Sequence, residues 1–226
     1  MRDLLYKELR LCMQPLTIIF FSFVLMLLIP SYMYLVPAFF TTNAIFNLFQ
    51  RAVANNDLSF TVMLPVCKRD AVRGRFLFVA LLELVMVLLY IPMIALNNAI
   101  APQPNTLFSA CPALIGGVFI TFAVFNAVFM PSFYKTGYKT GKSFVLSSIA
   151  VFGWIFAFEA FFMAAKALSD RSEFFSRITH CLNGIPQDKE SLICQIAFIA
   201  FGAIVYAAAT FISCRVSEKR LEKVDL

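Results

Sequence analysis

The sequence has few charged residues and lacks the patterns from which most catalytic and metal sites are built. Only 14% of its 226 residues are charged, whereas soluble domains have about a quarter. It has one histidine, and it contains no HExxH, GxSxG or P-loop spacing. Its six cysteines form no CxxC or Cys/His pattern. We therefore do not expect an enzyme, and we expect no metal, cofactor or nucleotide to bind in this chain.

Long apolar segments are what the sequence has in abundance. Hydrophobic residues make up 61% of the chain, and 27 residues are phenylalanine. A helix needs about 20 apolar residues to cross a bilayer. The pattern predicts an all-α integral membrane protein, a single domain with six transmembrane helices, over residues 15–29, 32–50, 76–96, 108–130, 144–167 and 193–214. The first two segments are short for two full crossings, so tilted or partly interfacial helices are expected there. Gly116-Gly117 predicts a close helix approach in the fourth segment.

The positions of the basic residues predict the topology. Most of the 19 lysines and arginines fall near residues 2–10, 51–75, 135–142 and 215–223. Cytoplasmic loops carry an excess of Lys and Arg, and pairs of apolar segments separate these clusters. Both termini are therefore expected in the cytoplasm. The net charge of +6 is explained by this topology and by anionic lipid headgroups, so we do not expect nucleic acid as a partner.

Three segments outside the apolar runs have features of their own. Residues 1–14 alternate leucines with charges, which predicts an amphipathic helix lying in the membrane interface. Residues 51–75 form a long cytoplasmic loop. Residues 168–192 form an outer loop in which apolar residues recur at helical spacing, which predicts a short helix or a re-entrant hairpin. Cys111 and Cys181 are both expected outside, and the sequence leaves open whether they pair.

Polar residues within the predicted spans are candidates for a substrate or ion pathway. Placing an ionised side chain in a span costs about 2.5–3.5 kcal/mol on insertion scales, so such residues are functional candidates. The candidates are Glu83, Glu159, Asn43 and Asn126. The helical rise places the two acids in opposite leaflets, so no direct pairing between them is expected. Hydrogen bonding to neighbouring helices, lining of a hydrated cleft, substrate contact and proton coupling all stay open for these residues.

The loop at 51–75 has the composition of a docking element. It carries Asp57, then an apolar stretch at 60–66 broken by Pro65, then a charged run that includes Arg69 and Asp70. This arrangement suits a short helix-turn-helix whose apolar side is buried against another protein while its charges lie at the rim. The alternative is an amphipathic linker that lies along the membrane.

This loop resembles the first cytoplasmic loop of small bacterial ABC-2-type exporter permeases. In that pattern an acid, an apolar stretch and Leu-Pro-Val-Ser-Arg precede a basic-flanked helix. Here Cys67 replaces the serine and Lys68 precedes the arginine. Within this family, the sequence resembles the permease subunits of phenol-soluble-modulin and bacteriocin peptide exporters. By this resemblance, the ATPase-docking residues are Asp57, Leu64, Pro65, Arg69, Asp70 and Arg73.

The resemblance implies a permease without its own ATPase, in the bacterial cytoplasmic membrane. Two copies would pair, as a homodimer or a heterodimer. Each would dock a separate ABC ATP-binding subunit, which carries ATP and Mg²⁺, on 51–75. The substrate would be an amphipathic peptide moved outward. Two alternatives are a membrane-embedded peptide-binding or immunity protein without transport, and an ion-coupled carrier that uses Glu83 and Glu159.

Overall fold

The computed structural model describes residues 15–29, 32–56, 67–100, 108–136, 139–169, 172–182 and 188–222, and the described part contains helices and no strand. The predicted interfacial helix at 1–14 lies outside it. A 3-10 helix, Phe23–Leu28, follows the first α-helix directly. The α-helices are α1 (Pro15–Ser22), α2 (Val36–Ala54), α3 (Lys68–Ile100), α4 (Ala113–Thr136), α5 (Thr140–Leu168), α6 (Glu173–Leu182) and α7 (Lys189–Glu222).

Four of these helices, α3, α4, α5 and α7, are long and apolar enough to cross a membrane. The shortest, α4, has 24 residues, which at 1.5 Å per residue gives about 36 Å against a hydrocarbon core of about 30 Å. An all-helical, multi-pass membrane protein is thereby confirmed. Pro15–Leu28 is apolar but shorter, and α2 is interrupted by polar residues such as Thr41, Thr42 and Asn43.

Helices α2 and α3 extend beyond the predicted apolar segments. The connection between them is therefore shorter than the loop predicted at 51–75. Helix α2 continues to Ala54 and α3 begins at Lys68, because charged residues are compatible with helix where a span emerges into water. Asn56 has φ 52°, the left-handed conformation that asparagine tolerates and that commonly ends a helix. Residues 57–66 lie outside the described part.

Helix α4 is the most buried of the four long helices, and α7 is the most exposed. Along one face of α4, Phe125 stacks on Phe129 at 4.9 Å between ring centroids. Phe49 of α2 meets Phe129 and Phe133 edge-on, at 5.2 and 4.8 Å. Such offset and edge-to-face geometries are favourable for aromatic pairs, so these rings join α2 to the centre of the bundle.

Helices α4 and α7 cross at glycines. A Cβ atom added to Gly202 would lie 2.5 Å from the carbonyl oxygen of Gly116, and one added to Gly116 would lie 2.7 Å from Cδ1 of Phe198. Backbones can approach this closely only where side chains are absent. The close approach predicted at Gly116 is thus confirmed, with Gly202 as its partner.

The outward faces of α5 and α7 carry bulky apolar side chains. Exposed examples are Ile149, Phe156 and Met163 on α5, and Ile193, Ile204, Phe211 and Ile212 on α7. In a membrane-spanning bundle such faces suit lipid tails, which are as apolar as leucine.

Candidate functional site

The start of α3 is joined to the end of α7 by two ion pairs. Nε of Arg69 lies 2.5 Å from Oε1 of Glu222, and Nε of Arg73 lies 2.7 Å from Oε1 of Glu218. Both the arginines and the glutamates are four residues apart, so each helix presents its two charges one turn apart on a single face. The two helix ends therefore run antiparallel here. We call Arg69, Arg73, Glu218 and Glu222 the inner clasp.

The two pairs of the inner clasp differ in burial. The side chains of Arg69 and Glu222 are 60% and 39% exposed, and exposed pairs of this kind contribute little to stability. In the second pair, the side chain of Arg73 is 41% exposed but that of Glu218 is only 6% exposed. A buried carboxylate is costly unless it is paired. The Arg73–Glu218 pair is therefore the more important of the two.

Two further side chains of α7 lie close to the carboxylate of Glu218. Nη1 of Arg215 lies 3.7 Å from its Oε2, and Sγ of Cys214 lies 3.7 Å from its Oε1. Close by on α7, Arg220 donates a hydrogen bond to the carbonyl oxygen of Pro131 in α4. Helices α3, α4 and α7 are thus connected at this end of the bundle.

The structure describes only three of the six residues predicted to dock an ATPase. Asp57, Leu64 and Pro65 lie outside the described residues. Arg69, Asp70 and Arg73 lie in the first turns of α3. The two arginines contact acids of the same chain. Sequence reasoning missed those acids, although the spacing of Glu218 and Glu222 matches that of the arginines.

A buried arginine lies just beyond the inner clasp. Arg75 is 6% exposed, and its guanidinium carbon is 5.3 Å from the centre of the Phe49 ring. A cation over an aromatic face is favoured when both are desolvated. This contact connects the first turns of α3 to α2, the helix on the other side of the predicted loop.

A polar cluster in the apolar part of the bundle centres on Glu83. Its Oε2 accepts hydrogen bonds from Nδ2 of Asn126 at 2.9 Å and from the hydroxyl of Tyr206 at 2.6 Å. Nδ2 of Asn126 also lies 3.5 Å from Oγ1 of Thr210. These four residues, the Glu83 node, join α3, α4 and α7 a second time. In hydrocarbon, such groups must find partners within the protein.

The Glu83 node keeps unused hydrogen-bonding capacity. Oε1 of Glu83 and Oδ1 of Asn126 are buried and have no hydrogen-bond partner among the described residues. Both atoms are acceptors. The arrangement can therefore accept a donor group from a bound molecule or from water.

The other predicted intramembrane residues lie elsewhere. Oε2 of Glu159, on α5, accepts a hydrogen bond from the backbone N–H of Phe108 at 3.1 Å. Nδ2 of Asn43 donates to the carbonyl of Phe39 in its own helix at 3.3 Å. The structure thus brings Glu83 together with Asn126 only. Tyr206 and Thr210 were not foreseen, although a tyrosine and a threonine one turn apart in an apolar span are a usable signal.

The far half of α3 is bound to the first apolar region. Nδ2 of Asn97 donates to the carbonyl of Leu27 at 2.5 Å and lies 3.3 Å from the Tyr34 hydroxyl. The Tyr90 hydroxyl donates to the carbonyl of Tyr34 at 3.1 Å. These bonds fasten the segment between the 3-10 helix and α2 onto a long span.

The short helix α6 is held at its C-terminal end by α7 and by Cys111, which lies just before α4. Oγ of Ser191 donates to the carbonyl of Cys181 at 3.2 Å, and Sγ of Cys111 lies 3.2 Å from the carbonyl of Leu182. No disulfide joins Cys111 to Cys181 in the described part of the chain. No group of three His, Cys, Asp or Glu side chains within the described ranges is placed to hold a metal ion.

Four long apolar helices with buried polar contacts between them define an integral membrane protein that crosses the bilayer several times. Residues 3–218 match the family described as ABC-2 family transporter protein. The chain therefore belongs to the ABC-2 transporter family, which confirms the resemblance seen at 51–75. Comparison with curated proteins and with solved structures gives no significant match. Family membership implies a transporter's membrane component that works with an ABC ATP-binding partner.

Proposed function

We propose that this chain is the permease subunit of an ABC exporter that moves amphipathic peptides out of a bacterial cell. Membership of the ABC-2 family over nearly the whole chain supports a permease. The sequence contains no nucleotide-binding motif, so ATP-driven work requires a separate subunit. Two copies, identical or different, form the transport unit.

The inner clasp is the observation that carries the docking proposal. The predicted docking loop continues into α3, which begins at Lys68, and the clasp holds the first turns of α3 on α7. A subunit bound to this loop would therefore push on a helix that is fastened within the bundle. In this arrangement the ATPase contacts Asp57, Leu64, Pro65 and Asp70, while Arg69 and Arg73 orient α3, the helix to which they belong.

The connections at the ends of the helices support six spans with both termini in the cytoplasm. The start of α3 and the end of α7 contact each other through the clasp, and Pro131, near the end of α4, contacts α7 through Arg220. These helix ends therefore lie on one side of the membrane. If α3, α4, α5 and α7 cross the membrane in alternating directions, the start of α3 and the ends of α4 and α7 all lie on the same side. The remaining pair of spans is α1 with the 3-10 helix, and α2, fastened to α3 through Tyr34 and Leu27.

Co-purification with the ATPase tests the docking assignment. The permease is tagged and purified from native membranes as wild type, as Asp57→Ala and as Pro65→Ala. The matched control is Lys142→Ala, a basic residue of the next predicted cytoplasmic loop. We expect an ABC ATPase to accompany the wild type and the control and to be lost from the two loop variants. Equal recovery of the ATPase with all four proteins would show that it docks elsewhere.

Transport is tested with the purified complex in proteoliposomes whose ATPase faces outward. A fluorescent amphipathic helical peptide should enter the vesicles only with ATP and Mg²⁺. Binding of the peptide without ATP-dependent uptake would indicate the alternative, a peptide-binding or immunity protein. Uptake driven by an ion gradient, and lost in Glu83→Gln and Glu159→Gln, would indicate a carrier.

A further inference from the structure

Helices α3 and α7 are joined at two levels of the bundle by polar contacts. The first level is the inner clasp, and the second is the Glu83 node. On α3, Arg73 and Glu83 are ten residues apart, which is about 15 Å along the helix. On α7, Glu218 and Tyr206 are twelve residues apart, or about 18 Å. One attachment leaves a helix free to pivot about it, whereas two attachments at this separation also restrain pivoting.

Helix α4 is connected at the same two levels. Its Pro131 carbonyl accepts a hydrogen bond from Arg220, near the clasp, and its Asn126 donates to Glu83 in the node. The crossing at Gly116 and Gly202 adds a third contact between α4 and α7, close enough that a Cβ atom on Gly202 would overlap the Gly116 backbone. Helices α3, α4 and α7 therefore form one mechanical unit.

We propose that Arg73 and Glu218 are positioning residues that transmit movement of the ATPase-docking loop to this three-helix unit. The inference rests on the proposed function, because it concerns how the loop acts once an ATPase is bound. Among the described contacts between the first turns of α3 and α7, the Arg73–Glu218 pair has the most buried carboxylate, at 6% exposure. Without this pair the loop and the first turns of α3 would move while α7 stayed in place. ATP would then be hydrolysed with little transport.

Charge reversal and charge exchange test this in the permease–ATPase complex. The variants are Arg73→Glu, Glu218→Arg and the double exchange Arg73→Glu/Glu218→Arg, in proteoliposomes. The quantity measured is the peptide transported per ATP hydrolysed. We expect each single reversal to lower this ratio at least about fivefold, the lower end of typical coupling between sites, with the ATPase still bound. The double exchange should restore much of the ratio, because the opposite charges face each other again.

Lys219→Glu is the matched control. It reverses the charge of an exposed side chain of α7 that directly follows Glu218 and lies outside the inner clasp. Exposed charges contribute little, so this variant should keep a ratio near that of the wild type. The inference is overturned if Arg73→Glu keeps the wild-type ratio, if it releases the ATPase, or if the double exchange recovers nothing.

Hydrogen–deuterium exchange on the purified permease alone separates this inference from the proposed function. In Arg73→Glu we expect faster backbone exchange in both the first turns of α3 and the last turns of α7, because both helix ends lose their attachment. Glu218→Gln, which keeps the shape of the side chain, should give the same change in a weaker form. Unchanged exchange at α7 in both variants would overturn the inference whatever the protein transports. Absence of ATP-dependent transport in the wild type, with these exchange changes present, would overturn only the proposed function.

Discussion

At the scale of single residues, Glu83 shows how an apolar bundle accommodates an acid. Its side chain is 1% exposed, and one of its oxygens accepts two hydrogen bonds from two other helices. In hydrocarbon each of these donors would otherwise be unsatisfied. The acid therefore has a structural role as well as unused acceptor capacity.

Substitutions of Glu83 should distinguish the contribution of these hydrogen bonds to stability from that of the charge. Glu83→Gln keeps an oxygen that can accept hydrogen bonds from Asn126 and Tyr206. We expect the thermal unfolding midpoint in detergent to stay close to that of the wild type. Glu83→Ala removes the acceptor and should destabilise the protein by about 1–2 kcal/mol. Equal destabilisation by Gln and Ala would contradict this account.

At the scale of helices, the crossing of α4 and α7 depends on Gly202. A Cβ atom there would lie 2.5 Å from a backbone oxygen, and a backbone atom cannot rotate away as a side chain can. We expect Gly202→Ala to destabilise the protein by about 1–3 kcal/mol, as overpacking does. The loss should appear as a lower thermal unfolding midpoint in detergent.

Gly153 of α5 provides the matched control, because a Cβ atom added there meets nothing within 4 Å. Alanine is favoured over glycine within a helix by about 1 kcal/mol. Gly153→Ala should therefore be neutral or stabilising. If both glycine substitutions lower the unfolding midpoint equally, the close crossing is not the cause.

At the scale of the whole molecule, the topology makes a prediction about Cys67. This residue is exposed, and it directly precedes α3. In a variant that keeps only this cysteine, a membrane-impermeant maleimide should label inverted vesicles and leave intact cells unlabelled. A cysteine added after Glu222 should behave in the same way, because the clasp places both helix ends on one side. Labelling of Cys67 in intact cells would reverse the topology and remove the docking proposal.

Much of the architecture could be predicted from the sequence. Whether a segment enters a bilayer depends mainly on its own composition and length, so α3, α4, α5 and α7 were foreseen as spans. Their ends were less well predicted. The charged first turns of α3 and last turns of α7 remain helical, and composition alone does not show where an emerging helix ends.

Hydropathy and the residues at 51–75 are local properties of the chain, so an integral membrane protein of the ABC-2 type could be inferred from the order of amino acids. Which polar groups meet is seen only in the packed bundle. Glu83 finds Asn126 and Tyr206 at separations of 43 and 123 residues, and Arg73 finds Glu218 at a separation of 145. Such pairs depend on the rotation and relative height of each helix. Rotation and height are set by the packing of the helices, of which the contact of Gly116 with Gly202 is one example, and no single segment contains that information.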